Sequence, residues 1–214
     1  MPTGGNAFEW YQKFFSIDQK EFEQDCRKLY QRYLLNQISL KDPVILIPHL
    51  NGSGAPFKSG KSRGLMYGIS LETRREDVLL GIILGLCLEM KYVATCFPLE
   101  QVRRVVAIGP VVKNPLWVQL KADALNKDIS VVKIEEAVSF GALKATYKDF
   151  DYELDYQVVS ANPNQVQAFD QLLDKYSYLY ESKRFLVDDN FPQSYFDSRD
   201  IQNRYSDTKE FFFS

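Results

Sequence analysis

The chain has 214 residues, enough for one large domain or two small ones, and 45% hydrophobic against 25% charged residues is the balance of a soluble globular protein. A formal net charge of -2 gives no electrostatic ground for binding nucleic acid or an anionic membrane surface. Cys26, Cys87 and Cys96 have no C-x-x-C spacing, which argues against a disulfide framework and fits a reducing cytoplasm, while His49 as the only histidine excludes a site built on several imidazoles.

The opening Met1-Pro-Thr-Gly-Gly-Asn has neither a basic nor an apolar region, so no signal peptide is expected. Ala7 to Phe15 and Gln19 to Leu35 read as helices, the second with Phe22, Cys26, Leu29, Tyr30 and Tyr33 at helical spacing and Asp18 as its N-cap. Val44 to Ile47 reads as a short buried strand behind the turn Lys41-Asp42-Pro43, residues 51 to 64 as a Gly/Ser/Lys loop, and Leu65 to Ile69 as a second strand. Thr73-Arg74-Arg75-Glu76 spells a capping box for a helix running to about Tyr92. That helix is apolar nearly all round, the mark of a buried central element. Val78 to Leu88 is too short to span a bilayer, and Gly81 and Gly85 read as a site of close core packing.

Arg103 to Ile108, a helix near Leu116 to Leu125, and Ile129 to Ile134 form a β-α-β unit. Glu135 to Tyr147 reads as a further helix in which Gly141-Ala142 is small enough to pack tightly. After Lys148 the chain is rich in Tyr, Phe, Asp and Asn, with one helix at Gln165 to Tyr180. Tyr152 to Tyr156 and residues 186 to 214 read as a surface-wrapping or partly disordered extension, and Tyr176, Tyr178 and Tyr180 as a packing stripe.

Three segments invite chemistry. Ala55-Pro-Phe-Lys-Ser-Gly60-Lys61-Ser62 fits a relaxed P-loop, with Ala in place of the first glycine. A working P-loop needs a helix directly after Lys-Ser, whereas Ser62-Arg63-Gly64-Leu65 reads as a turn followed by a strand, so a solvated basic loop is expected. His49 could act as a base, since the reference pKa of histidine lies near neutral. The third segment, Ile108-Gly109-Pro110-Val111-Val112-Lys113-Asn114-Pro115-Leu116-Trp117-Val118-Gln119, places a Gly turn between a strand and a helix opening on Asn and Pro, the layout that brings backbone close to a nucleotide.

That loop resembles the adenine-side loop of the FGGY carbohydrate kinases, and other blocks follow in the family's order. Gly5-Asn6-Ala7-Phe8-Glu9-Trp10 resembles the segment opening the helix after a phosphate-contacting turn. Pro48 to Pro56 is similar to the Pro-aromatic-Leu/Phe-Ser-Gly-x-x-x-Pro block, Gly64 to Leu71 to the strand that follows it, and Leu84 to Glu89 to the Glu-Gly-Leu-x-x-Glu helix. Ala122-Asp123 and Glu136-Ala137-Val138-Ser139-Phe140-Gly141-Ala142 complete a resemblance over about residues 4 to 147.

The resemblance implies an α/β fold, a partial ribonuclease-H-like, actin-like ATPase domain without its first strands, over residues 1–147, with residues 148–214 as an extension. It implies ATP with magnesium, and a sugar only together with an N-terminal half that carries the general-base Asp, so no residue of this chain is assigned as catalytic or as a metal ligand. Gly109, Pro110 and Asn114 are the expected nucleotide-binding residues, with the Asn114 amide able to read a base edge. Gln119 and Asp123 match motif positions, but helix surface or helix-to-loop bonding explains them equally. At the position of His49 the family usually has an aromatic residue, which implies a packed or solvent-edge ring instead of a base. Pro110 and Val111 stand where the family has glycine, and Pro110 removes a backbone N–H. The implied function is the nucleotide side of a carbohydrate kinase, inactive by itself. The alternative is a degenerate, non-catalytic remnant serving as an interaction or regulatory module. Without the family's first strands, Arg103 to Ile108 has an uncovered edge, a liability for homodimer formation or aggregation.

Overall fold

A helix without a polar face has to be surrounded, and helix α3 (Arg75–Ala94) is buried at every residue from Val78 to Glu89. The computed structural model describes residues 4–134, 137–147 and 155–185. Strands β1 (Ile45–Ile47) and β2 (Leu65–Tyr67) pair antiparallel, Ile45 opposite Tyr67 and Ile47 opposite Leu65. All three residues of β1 are buried, and α3 packs directly on this strand. Gly81 and Gly85 permit the approach: a Cβ on Gly81 would lie 2.8 Å from the Val44 carbonyl oxygen, and one on Gly85 would overlap the Leu46 carbonyl oxygen. The expected close packing is thus helix against strand backbone.

The start of α3 differs from the sequence expectation. Arg74 is the N-cap residue, and its N–H donates to Asp77 Oδ2 at 2.9 Å. The Thr73 hydroxyl accepts instead from the Ser70 N–H at 2.8 Å, closing the preceding turn, so Thr73 and Glu76 form no capping box. A threonine beside a turn has two backbone donors within reach, and here the local one wins.

Helices α1 (Gly4–Phe15) and α2 (Gln19–Leu34) pack beside α3. The expected cap of α2 is present: Asp18 Oδ1 accepts from the Glu21 N–H at 2.8 Å, and Glu21 Oε2 from the Asp18 N–H at 3.3 Å. One buried carboxylate joins the three helices. Asp25 Oδ2 lies 3.0 Å from Arg75 Nη2, and the Tyr11 hydroxyl donates to the Arg75 carbonyl at 3.3 Å. Burial and the Asp25 charge hold the Tyr11 hydroxyl well above the ordinary tyrosine range, so it remains a donor.

The β-α-β unit forms as expected from β3 (Val105–Ala107), α4 (Pro115–Leu125) and β4 (Ile129–Val132), with the strands parallel and Val105 opposite Ile129. One sheet face packs Ala107, Ile129 and Val131 against Val118 and Ala122 of α4. On the other face Val106 and Val158 are exposed. Among the described residues β3 pairs only with β4, so its outer edge is open, as expected.

The segment around Tyr156 corrects the sequence reading. Tyr156–Val159 is a fifth strand, β5, antiparallel to β4, rather than a wrapping extension; 152–154 and 186–214 lie outside the described residues. Helix α5 (Ala137–Thr146) has no buried residue, and Gly141 has nothing within 4 Å, so the expected tight packing at Gly141-Ala142 is absent among the described residues. Residues 135 and 136 of the expected helix are outside that set.

Helix α6 (Val166–Phe185) crosses from one compact unit, which runs to Tyr178, into a second that opens at Leu179. Within the first unit Asp170 pairs with Lys91 at 2.7 Å, Lys175 with Asp42 at 2.9 Å, and Tyr176 packs edge-on against Tyr92. Tyr176 is buried as packing while Tyr178 is exposed. Among the described residues no helix is long and apolar enough to cross a membrane.

The α3–β1 contact carries a direct expectation. Gly85→Ala forces the helix off β1 and should lower stability by about 3 kcal/mol or more in urea denaturation, at the upper end of overpacking costs. Gly60→Ala, at a site with open space, is the control and should lie within about 1 kcal/mol of the parent.

Candidate functional site

The turn after β3 is built by three residues with different tasks. Gly109 has φ 81° and ψ -159°, a conformation that L side chains rarely adopt. A Cβ at this position would meet no atom within 4 Å, so conformation rather than crowding calls for glycine. Pro110 opens a single 3-10 turn, Pro110–Lys113, where its missing N–H and fixed φ cost little. Asn114 then caps α4: its Oδ1 accepts from the Trp117 N–H at 3.1 Å, and its Nδ2 donates to Cys26 Sγ at 3.5 Å. The same side chain therefore starts α4 and ties it to α2.

Between this turn and helices α1 and α2 lies a groove of about 460 Å³, within the range of roughly 300–1,000 Å³ usual for small-molecule sites. Phe8, Phe22, Tyr30, Pro110 and Trp117 supply its aromatic and apolar walls, and Arg27 and Lys113 stand among them as cations. The rings support one another: Phe8 and Phe22 are 5.4 Å apart, and Phe8 meets Trp117 edge-on at 5.1 Å. The groove thus joins two blocks far apart in sequence, Gly5 and Phe8 from one and Pro110 and Asn114 from the other. Gly109 shapes the turn without lining the groove.

The sequence marks Phe22, Cys26 and Tyr30 only as residues at helical spacing on α2 and does not place them at a site. A usable signal was present in Gln19, Glu23, Arg27 and Tyr30, a mixed polar and aromatic stripe at helical spacing on one side of α2. Cys26 is not a reactive thiol, since burial pushes it up to about 12 despite the Asn114 hydrogen bond, and Cys87 is pushed to about 12 by burial as well.

Asp123 and Gln119 turn out to bind loops. Asp123 is fully buried; its Oδ2 accepts from the Tyr33 hydroxyl at 2.6 Å, and its Oδ1 from the Asn162 N–H at 2.7 Å and Gln119 Nε2 at 3.0 Å. Gln119 Nε2 also reaches the Ser160 carbonyl at 2.9 Å. Burial raises the Asp123 carboxyl above its ordinary value, and the three hydrogen bonds pull it back only in part. This network fixes α4 to α2 and to the segment after β5.

His49 is packed. Its Nδ1 lies 2.9 Å from Ser62 Oγ and its Nε2 3.3 Å from Glu89 Oε1, all three residues being buried. The P-loop geometry is absent, because Lys61-Ser62 leads through a turn into β2 instead of opening a helix, and Ser62 faces His49. The 51–64 loop is less solvated than expected, since Ser53 and Ser62 are buried while Lys58 and Lys61 are exposed. Among the described residues no group of three or more His, Cys, Asp or Glu could hold a metal ion.

Residues 1–147 match the model of the FGGY family of carbohydrate kinases, C-terminal domain. A glycerol kinase from Francisella philomiragia is 29% identical over 114 residues, which are 52% of this chain and 23% of that one. Among solved structures, a xylulose kinase from Rhodospirillum rubrum superimposes with a TM-score of 0.66 at 16% identity, covering 86% of this chain and 38% of that one. A Plasmodium falciparum glycerol kinase with ADP gives a TM-score of 0.59 at 19% identity, over 81% of this chain and 37% of that one. These likenesses establish the fold as part of the actin-like, ribonuclease-H-like α/β architecture expected from the sequence. The chain spans about a quarter of the length of the curated relatives it matches, 23% and 27% in two of them.

Two measurements probe this network. In the folded protein at pH 8, iodoacetamide should modify the exposed Cys96 within minutes while Cys26 and Cys87 stay unmodified until urea is added; mass spectrometry of the peptides reads the difference. Because the Asp123 carboxyl is raised on folding, the native state holds its proton more tightly than the unfolded chain. The contribution is therefore full below the ordinary carboxylate value and is lost as pH rises through the raised one. Asp123→Asn should flatten that fall in urea-unfolding free energy with rising pH, and an unchanged slope would assign it to another group.

Proposed function

This chain belongs to the FGGY family of carbohydrate kinases, matched over the family's C-terminal domain, and on that premise we propose that it forms the nucleotide side of an ATP-dependent carbohydrate kinase. The observation that carries the reading is the groove itself, where Gly5 and Phe8 meet Pro110 and Asn114 across apolar walls. The nucleoside end of ATP or ADP occupies this groove, with Gly109 shaping the turn and Pro110 and Asn114 lining it. Lys113, exposed beside it, faces the phosphates. The glycerol kinase solved with ADP shares this fold, which supports a nucleotide as the ligand.

The reaction of the whole kinase is transfer of the ATP γ-phosphoryl group to a sugar hydroxyl, in the cytoplasm. Magnesium accompanies the ATP phosphates as part of the substrate. The described residues of this chain offer no cluster to hold it, so no step is assigned to the metal here. The general base and sugar contacts belong to the remainder of the kinase architecture, of which this chain covers 38% in the xylulose kinase. A second reading, a non-catalytic module, draws support from Pro110, which lacks the backbone N–H that a phosphate or ribose oxygen would take.

Calorimetric titration separates the two. ATP and ADP should each bind the 214-residue chain, and Asn114→Ala should weaken ADP by about fivefold, the equivalent of losing about 1 kcal/mol of cap stabilisation at the groove. Absence of heat with either nucleotide leaves the non-catalytic module as the reading. An ATP-dependent sugar-phosphorylation assay should give no turnover with the same polypeptide, and ordinary turnover would refute the division of labour proposed here.

A further inference from the structure

A site distinguishes adenine from guanine by a donor and an acceptor held side by side at the base edge, and the amides of Asn and Gln are the side chains suited to that task. The groove has one of each, Asn114 and Gln19. Both are already engaged within the protein. Asn114 Oδ1 accepts from the Trp117 N–H at 3.1 Å and its Nδ2 donates to Cys26 Sγ at 3.5 Å. Gln19 Oε1 accepts from Gln12 Nε2 at 3.1 Å, and its Nε2 donates to Glu23 Oε1 at 2.9 Å. Glu23 in turn faces Arg27 at 3.6 Å.

The backbone of the turn offers little more. Pro110 has no N–H, and the N–H groups of Val112 and Asn114 donate to the carbonyls of Gly109 and Val111, each at 3.1 Å. Lys113 and the mutually paired Glu23 and Arg27 are exposed, and the Tyr30 hydroxyl can donate or accept alike. Among the described lining residues the firm surface for a base is therefore the aromatic wall, and stacking on a ring face is nearly indifferent to the pattern at a base edge. Redirecting Asn114 toward a base would forfeit the N-cap of α4, so its amide is a poor discriminator.

We infer that the groove takes purine nucleotides as a class, with little preference for adenine over guanine or hypoxanthine. The inference rests on the nucleotide-side reading above and narrows it to a substrate class. Titration of ADP, GDP and IDP into the 214-residue chain tests it, and the expected dissociation constants lie within about tenfold of one another. ADP binding more than about tenfold tighter than both GDP and IDP would overturn the inference and leave the nucleotide-side reading standing. Absence of binding by all three would overturn both. Gln19→Ala, a change at an exposed side chain, gives the second arm: the ratio of ADP to GDP affinity should stay within about twofold, and a shift of about tenfold would assign base reading to Gln19 and end the proposal.

Discussion

The absence of two side chains, at Gly81 and Gly85, is the constraint on which the rest of this structure depends. It lets α3 settle onto the carbonyls of Val44 and Leu46, closer than any residue with a Cβ would permit. A helix seated this way has no freedom to slide, since each neighbouring position presents a leucine or isoleucine. The surfaces of α3 left uncovered by β1 then receive α1, α2 and α4. The three helices that wall the groove all rest on this one helix.

Buried polar contacts supply the second level of organisation. Asp25, Asp123 and the His49–Glu89 pair each bridge elements that hydrophobic contact alone would leave free to shift in register. An unpartnered carboxylate in such surroundings is costly, so each one specifies its partner's position. Asp123 is the most connected of them, holding Tyr33 of α2 and the backbone at Asn162 at once. It matches a motif position yet lines no wall of the groove, serving instead as a joint between α4, α2 and the segment after β5.

Much of this was legible in the residues. Gly109 announced a special backbone angle, the glycine pair a close approach, and Asp18 with Glu21 a helix cap, because each depends on local stereochemistry. Thr73 misled because its hydroxyl closes the preceding turn on the Ser70 N–H while Asp77 caps the helix at Arg74, a choice that sequence spacing does not decide. β5 was hidden for another reason: Tyr156–Val159 is a strand by virtue of pairing with β4, and its own alternation is obscured by exposed valine and tyrosine. Gly141 suggested crowding, yet small residues also occur where nothing is near. The contribution of α2 to the groove was not legible, because aromatic spacing on a helix looks the same whether a ring faces a neighbour or a ligand.

Among the described residues β3 has a strand partner on one side only, and a consequence for how the polypeptide behaves in a tube follows from its other rim. Its main-chain donors and acceptors point outward, with Val106 and Ile108 exposed beside them. Any extended peptide that meets this rim can add a rung to the sheet. Where that rim stays open, a charged substitution at Val106 would blunt it while leaving the α4 side of the sheet untouched.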